Sequence, residues 1–195
     1  TIWLAARDAV LPYVQQLMAL NVHKQTTNRL MEPWHHISVI ATSSDWANFF
    51  GLRYHKDAQP EIKELARKML RIYSKQTPIT RVVGDWHLPY ITEVERNSGM
   101  PIEDLRKCSV ARCARVSFNN HDGTNPDIVK DIALHDRLVV QEPLHASPAE
   151  HQAQAAEFVR ALNGNFGGEW TQYRKTLANE VIRKCPTLLP EDDRE

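Results

Sequence analysis

Residues 48–62, NFFGLRYHKDAQPEI, carry the junction on which the reading of the fold turns. An apolar run of Phe49, Phe50 and Leu52 is broken by Asn48 and Arg53, then meets Gln59 and Glu61 at the start of a helix. Asn48 and Leu52 stand four residues apart and share one helical face, so an amide sits beside an apolar wall. Arg53 closes the run, where a guanidinium can face a planar, anionic ligand through two bonds. The plainer reading pairs Arg53 with Asp57 or Glu61 and leaves Asn48 to cap a neighbouring loop. Pro60 opens a helix, because Ile62, Leu65, Ala66, Met69, Leu70 and Tyr73 form one apolar stripe. Upstream, TSSDWANFFGLR offers Thr42, Ser43 or Ser44 as N-cap of a preceding helix, with Asp45 placed to complement its dipole.

Towards the N-terminus, Ile37 to Thr42 fits either a strand or a linker. A helix is expected over His23 to Glu32, ended by Pro33, since the residue before a proline is driven out of helical geometry. The opening TIWLAARDAVLPYVQQLMAL is already in helical rhythm through Val10, Val14, Leu17 and Met18. It begins with Thr1, and the expectation is that a longer product has lost an N-terminal segment. Towards the C-terminus, Lys75 to Met100 reads as loops around GDWHLPYI, and SVARCARVSF (109–118) as a helix end turning into a strand. HDGTNPD reads as a loop. A last helix is expected after Pro148, with Ser147 and Glu150 as a capping box. In NFGGEWTQYRK (165–175), Trp170, Gln172, Tyr173 and Arg174 alternate as in a strand, which suits a sheet edge or a substrate-contacting arm. Residues 1–190 read as one domain, with 191–195 as a frayed tail.

Composition narrows the partners. The 195 residues carry 24 basic and 24 acidic side chains, so no global charge points to nucleic acid, a membrane surface or a polyanion. No apolar run approaches a membrane span, and no charged-then-apolar leader opens the chain. The three cysteines, Cys108, Cys113 and Cys185, fit no metal-ligand spacing and favour free thiols in a reducing cytoplasm. The motifs of serine hydrolases, phosphate-binding loops and dinucleotide folds are all missing. Among nine histidines, His35 with His36 and His145 with His151 are the tempting metal pairs. Neither spacing puts both rings on one helix face, so no metal is expected.

Four segments together resemble the flavin-dependent thymidylate synthases, the ThyX family. LRYHKDAQPEI is similar to that family's L-R-x4-A-Q-x-E-I, NRLMEPW to its A-R-x-x-L-P helix end, SVARCARVSF to its A-V-R-A-A-R-V-S-F, and HASPAEH to its H-x-T-P-F-E-H. The order is permuted, because in the usual arrangement the last two segments come first. This resembles a rearranged, phage-like branch. The family signature R-H-R-x-x-S-x-N-x-x-S-x-R-Y finds no counterpart here, VHKQTTNRL having the wrong spacing and none of its serines. In the permuted arrangement that signature is expected ahead of Thr1.

The resemblance implies roles for eight residues. Arg29 matches the arginine on the phosphate of deoxyuridylate (dUMP), and Arg53 the arginine near its base. Asn48, Leu52, Ser117, His145, Ser147 and Glu150 match positions at the flavin (FAD), with Ser147 replacing a threonine. The implied reaction methylates dUMP to dTMP, using methylenetetrahydrofolate as carbon donor and FAD reduced by NADPH. The implied fold is α/β in the broad sense (α+β), with helices on a small, mostly antiparallel sheet. A homotetramer, or a complementing N-terminal segment, would complete the site. The implied location is cytoplasmic, the host cytoplasm for a phage-encoded chain. Two other readings stay open: a catalytically incomplete flavin- or nucleotide-binding or assembly subunit, and a related flavin-dependent pyrimidine hydroxymethylase.

Overall fold

The computed structural model describes residues 1–140, 144–158 and 161–180, so the 191–195 tail lies outside the described residues. The chain clusters into two compact units, Thr1–Val39 and Ile40–Glu195. The fold is α+β, with seven α-helices and a three-stranded antiparallel sheet among the described residues. None of these helices is long and apolar enough to cross a membrane.

The first unit pairs α1 (Ile2–Ala19) with α2 (Lys24–Arg29). Val14, Thr27 and Met31 are its buried side chains. Trp3 and Trp34 hold its open end, their rings 5.5 Å apart and the Trp34 indole N–H donating to the Trp3 carbonyl. The helix expected over His23 to Glu32 is shorter than that. It is capped at His23, whose Nδ1 accepts from the Gln25 N–H, and it ends at Arg29. Pro33 then lies inside a 3-10 turn, Glu32–Trp34, where its fixed φ suits the first turn.

Residues 35–43, which run from the end of the first unit into the second, take no regular structure, so the linker reading of Ile37 to Thr42 holds. Helix α3 (Ala47–Arg53) then folds against α4 (Pro60–Tyr73), with the Phe50 and Tyr73 rings 5.5 Å apart. The N-cap of α3 is Trp46 rather than Thr42, Ser43 or Ser44. Asp45 does the capping work from one residue earlier, its carboxylate accepting from the Ala47 N–H at 2.9 Å. The α4 stripe exists as read, but only Ala66 is buried, while Leu65, Ile72 and Tyr73 stay about half exposed or more.

The core lies further along. Strand β1 (Trp86–His87) is followed by α5 (Glu93–Arg96), α6 (Ile102–Arg115) and α7 (Ile128–Val140). Leu88, Ile91, Leu105 and Cys108 form one buried cluster, with Trp86, Met100 and Ile132 against it. Helix α6 does not turn into a strand. Val116 adopts a left-handed conformation, and the Ser117 N–H returns to the Arg112 carbonyl at 3.1 Å, which ends the helix in a tight cap. Asp127 caps the start of α7, its carboxylate accepting from the Val129 and Lys130 N–H groups.

The helix expected after Pro148 is absent. Ser147–Glu150 is a single 3-10 turn with Ala146 as N-cap, and Ser147 makes no capping bond. The chain then runs extended as β2 (Ala153–Ala155), pairing antiparallel with β1 and with β3 (Trp170–Gln172). Ala153 and Ala155 are buried while Gln154 between them is not, a period-two pattern that overrides alanine's helical preference. The real capping box stands at Thr92, where its hydroxyl accepts from the Glu95 N–H and the Glu95 carboxylate accepts from the Thr92 N–H.

That same Glu95 carboxylate receives the Arg112 guanidinium at 2.6 and 3.0 Å. Arg112 is fully buried and also donates to the Tyr90 carbonyl and to Asp131, itself fully buried. Arg115 donates to the other Asp131 oxygen at 2.7 Å. Burial alone would lower the Arg112 pKa, but the two carboxylates raise it. Burial would likewise raise Glu95, and the bonds from Arg112 and Thr92 outweigh it and hold that carboxyl below its ordinary range. A carboxyl depressed in this way stabilises the fold above its unfolded pKa of about 4.3, and the contribution fades as pH falls through the lower folded value. Asp131→Ala strands two buried guanidinium groups and should cost about 3–5 kcal/mol in urea unfolding. A loss below about 1 kcal/mol would mean that the network is not the core's anchor.

Candidate functional site

Strand β3 runs straight into a 3-10 turn (Tyr173–Thr176), and Gln172 and Tyr173 at their junction are both buried. Tyr173 points inward. Its hydroxyl lies 3.0 Å from His135 Nε2, and the Arg106 guanidinium lies 4.4 Å from its ring centre. His135 Nδ1 in turn contacts Asp136 at 2.8 Å. Burial, moderated by that carboxylate, lowers the His135 pKa, so the ring is neutral at pH 7. A neutral ring bonded to Asp136 through Nδ1–H leaves Nε2 to accept from the tyrosine.

With Tyr173 fixed, its neighbours Gln172 and Arg174 border an open cleft of about 610 Å3. The cleft is closed by the 3-10 turn Ser147–Glu150 with His151, by Asn165 and by the strap of residues 40–43 with Trp46. Arg174 forms an ion pair with Glu150, and its Nε lies 3.4 Å from Glu180. The Lys175 ammonium meets Glu180 at 3.2 Å, and the Gln172 amide donates to the Glu150 carbonyl at 3.0 Å. The strap is tied on by Thr42, whose hydroxyl lies 3.0 Å from His151 Nδ1, and by Asn165, which donates to the Thr42 carbonyl. Burial lowers the His151 pKa despite the nearby Glu150, which keeps that imidazole uncharged at pH 7. The lining therefore presents two cations, one carboxylate, two amides and a neutral imidazole. Such a surface suits a polar ligand with both donors and acceptors.

Of the eight residues singled out in the sequence, Glu150 lines this cleft. Arg53, Asn48 and Leu52 stand exposed on α3, and Leu52 keeps 57% of its surface. Arg53 makes no hydrogen bond or ion pair with any described residue, so it pairs with neither Asp57 nor Glu61, and Asp57 sits 3.5 Å from His55 instead. Arg29 is the last residue of α2, in the first unit, and is exposed. Ser117 is half-buried at the cap of α6, and His145 and Ser147 are exposed. Sequence reasoning missed His151, Asn165 and Thr42. It did flag Gln172 and Arg174 through the alternation of 170–174. Among the described residues no three His, Cys, Asp or Glu side chains converge as a metal site requires.

Residues 35–79 match the family model described as "Thymidylate synthase complementing protein" (Thy1). The match spans less than a quarter of the chain and contains α3 and α4 whole. It supports a relation to the ThyX family. No curated protein matches the chain, and no solved structure does.

Cys108 and Cys113 are free and buried, away from this cleft's lining. Burial pushes their thiols up to about 11 and about 12. At pH 8 each should react with iodoacetamide at least about 100-fold more slowly than an exposed cysteine of pKa near 8.5. Peptide mapping of a labelling time course reads this directly, and fast labelling of either would place it outside the core.

Proposed function

We propose that this chain forms part of a flavin-dependent thymidylate synthase, methylating dUMP to dTMP with methylenetetrahydrofolate as carbon donor and FAD reduced by NADPH. The observation that carries the reading is the family match over 35–79, whose residues include the exposed and unpaired Arg53. The resemblance of the segments around Arg29, Ser117 and Ser147 to ThyX motifs supports it. The residues fit the chemistry of both ligands. A free amide and an exposed leucine on one face of α3, with an unpaired guanidinium at its end, suit a heterocycle with anionic oxygens, and Ser147 keeps its hydroxyl uncommitted by any cap.

Bound FAD, once reduced, supplies the hydride that takes a transferred methylene to a methyl group. The protein's part is orientation and charge. Arg53 would hold the pyrimidine and stabilise negative charge as it grows on the ring, and a fixed guanidinium does so without reorganising. Arg29 would pair with the nucleotide phosphate. Glu150 and Arg174 neutralise each other, so the cleft accepts a polar ring without leaving a bare buried charge.

One observation favours a second reading, in which this chain is an incomplete subunit. Asn48, Leu52 and Arg53 face solvent rather than a cavity wall, so a further segment or a second copy must cover them before a ligand is enclosed. The test is the visible spectrum of the chain after loading with FAD and removing free cofactor. Retained flavin whose spectrum shifts with dUMP supports the synthase; a colourless protein supports the incomplete subunit. In the first case Arg53→Ala should weaken dUMP binding about 10- to 100-fold, the worth of a charge-assisted pair. Unchanged affinity in a titration would remove Arg53 from the site.

A further inference from the structure

A second cleft shares the strap of residues 40–46 with the first. It measures about 430 Å3 and is walled by Trp46, His87, Phe166 and Trp170, with Arg81 at its edge. Arg81 makes no hydrogen bond or ion pair with any described residue. Residues 41–43 and Trp46 line both clefts, so one short segment closes the two together.

Very little holds that segment down. None of residues 40–45 makes a backbone–backbone hydrogen bond with a described residue. Among the described residues, three side-chain bonds tie it across the clefts: the Thr42 hydroxyl lies 3.0 Å from His151 Nδ1, Asn165 donates to the Thr42 carbonyl, and the Ser44 hydroxyl accepts from the Gly167 N–H at 2.5 Å. Two of these ties fall on Thr42, and one of its partners is titratable.

His151 is half-buried, and the negative charge it feels is Glu150, already paired with Arg174. Arg174 and Lys175 line the same cleft, and Lys175 is held by Glu180. From β1 comes His87, a second half-buried imidazole, which feels the His151 ring together with Arg81 and Arg96. The strap's own carboxylate, Asp45, is committed to the Ala47 N–H. Burial lowers the pKa of both rings, so both are uncharged at pH 7. A neutral His151 with its proton on Nε2 accepts from the Thr42 hydroxyl. A charged His151 is a cation held partly out of water among cations, and it gains by swinging into solvent.

We propose that the strap is a lid, latched over both clefts by the Thr42–His151 bond and released when His151 takes up a proton. With the lid shut, the ring's pKa lies below its ordinary value of about 6.5, and in solvent it returns there. The closed form therefore binds the proton less tightly than the open one. Its advantage is complete above about pH 6.5 and is lost as the pH falls through the lowered value. Between the two values the closed-to-open ratio drops about tenfold per pH unit. The latch needs no particular ligand in either cleft, so it stands or falls apart from the flavin reading.

Trp46 reports the lid. Acrylamide quenching of the full chain, taken as the difference between wild type and Trp46→Phe, follows its exposure from about pH 8 to about pH 5, while far-UV circular dichroism follows the fold. Quenching of Trp46 should rise reversibly below about pH 6.5 at constant dichroism. His151→Gln stays neutral and keeps an acceptor for the Thr42 hydroxyl, so its Trp46 should remain shielded throughout. Thr42→Val keeps the shape and removes the hydroxyl, and it should leave Trp46 as open at pH 8 as the wild type is at pH 5. His87→Gln should retain the transition. A wild-type Trp46 indifferent to pH, a transition surviving in His151→Gln, its loss in His87→Gln, or one that appears only as the dichroism collapses would each overturn the latch. Should His151→Gln or Thr42→Val fail to fold, the other decides against the wild type.

Discussion

A single guanidinium organises the second unit. Arg112 is wholly buried, and its bonds reach the Glu95 carboxylate of α5, the Asp131 carboxylate of α7 and the Tyr90 carbonyl before α5. A charge in that position is tolerable only when every donor is met, so three elements must arrive together or not at all. Glu95 is also the N3 residue of a capping box, whose bonds to Thr92 hold its carboxylate where Arg112 meets it. Asp131 can serve because Asp127 caps α7 one turn earlier, its carbonyl accepting from the Asp131 N–H at 2.8 Å, which fixes where residue 131 falls on the helix. The network thus reads out whether two helix starts are correct.

From there position is handed outward. Helix α6, pinned at Arg112, carries Arg106 over the Trp86 and Tyr173 rings and Lys107 to Asp136. Asp136 orients His135, and His135 receives the Tyr173 hydroxyl. The cleft residues Gln172 and Arg174 flank Tyr173 in sequence, so the cleft inherits its geometry from the core through one buried tyrosine. The segment matched by the family model is different in kind. Helices α3 and α4 pack mainly on each other and leave Leu52, Leu65, Ile72 and Tyr73 exposed. Their residues are free of the demands of a core, so side chains such as Arg53 can be kept for ligands at little cost to stability.

What the sequence disclosed follows from where the information is local. The α1 and α4 patterns are read correctly because helical periodicity and a proline at the first turn are written within a dozen residues. The capping signature T-x-x-E was present at Thr92 as well as at Ser147, and only the second was read. The two differ in what lies outside the window: Glu95 has Arg112 behind it, whereas Glu150 is taken by Arg174, 24 residues on. The alanine-rich run after Pro148 fails for the same reason. Its strand exists because β1 and β3 lie on either side of it, and neither neighbour is visible locally. Helix α7 is marked locally only by Asp127, whose carboxylate accepts from the Val129 and Lys130 N–H groups directly after the loop HDGTNPD. Within the cleft, Gln172 and Arg174 were legible through alternation, while Thr42, Asn165 and His151 were not. Thr42 and His151 are 109 residues apart, and no spacing rule joins them.

The strap of residues 40–46 shows why that distance matters. It has no helix or strand to satisfy its backbone, and its ordering comes from side chains, Asn165 on the Thr42 carbonyl and Asp45 on the Ala47 N–H, and from the Ser44 and Thr42 hydroxyls. Few bonds and an open course mean low local stability. Yet both clefts use it as a wall, and Trp46 at its end lines both. The aromatic cleft meets it with rings and an unpaired cation, the polar cleft with paired charges and amides. A segment held by His151, Asn165 and Gly167, which lead into β2 and β3, and running into α3 on the other side, links the chain's core to the helices that carry the family match. The strap is therefore where the stable part of the fold and its ligand-facing part are physically joined.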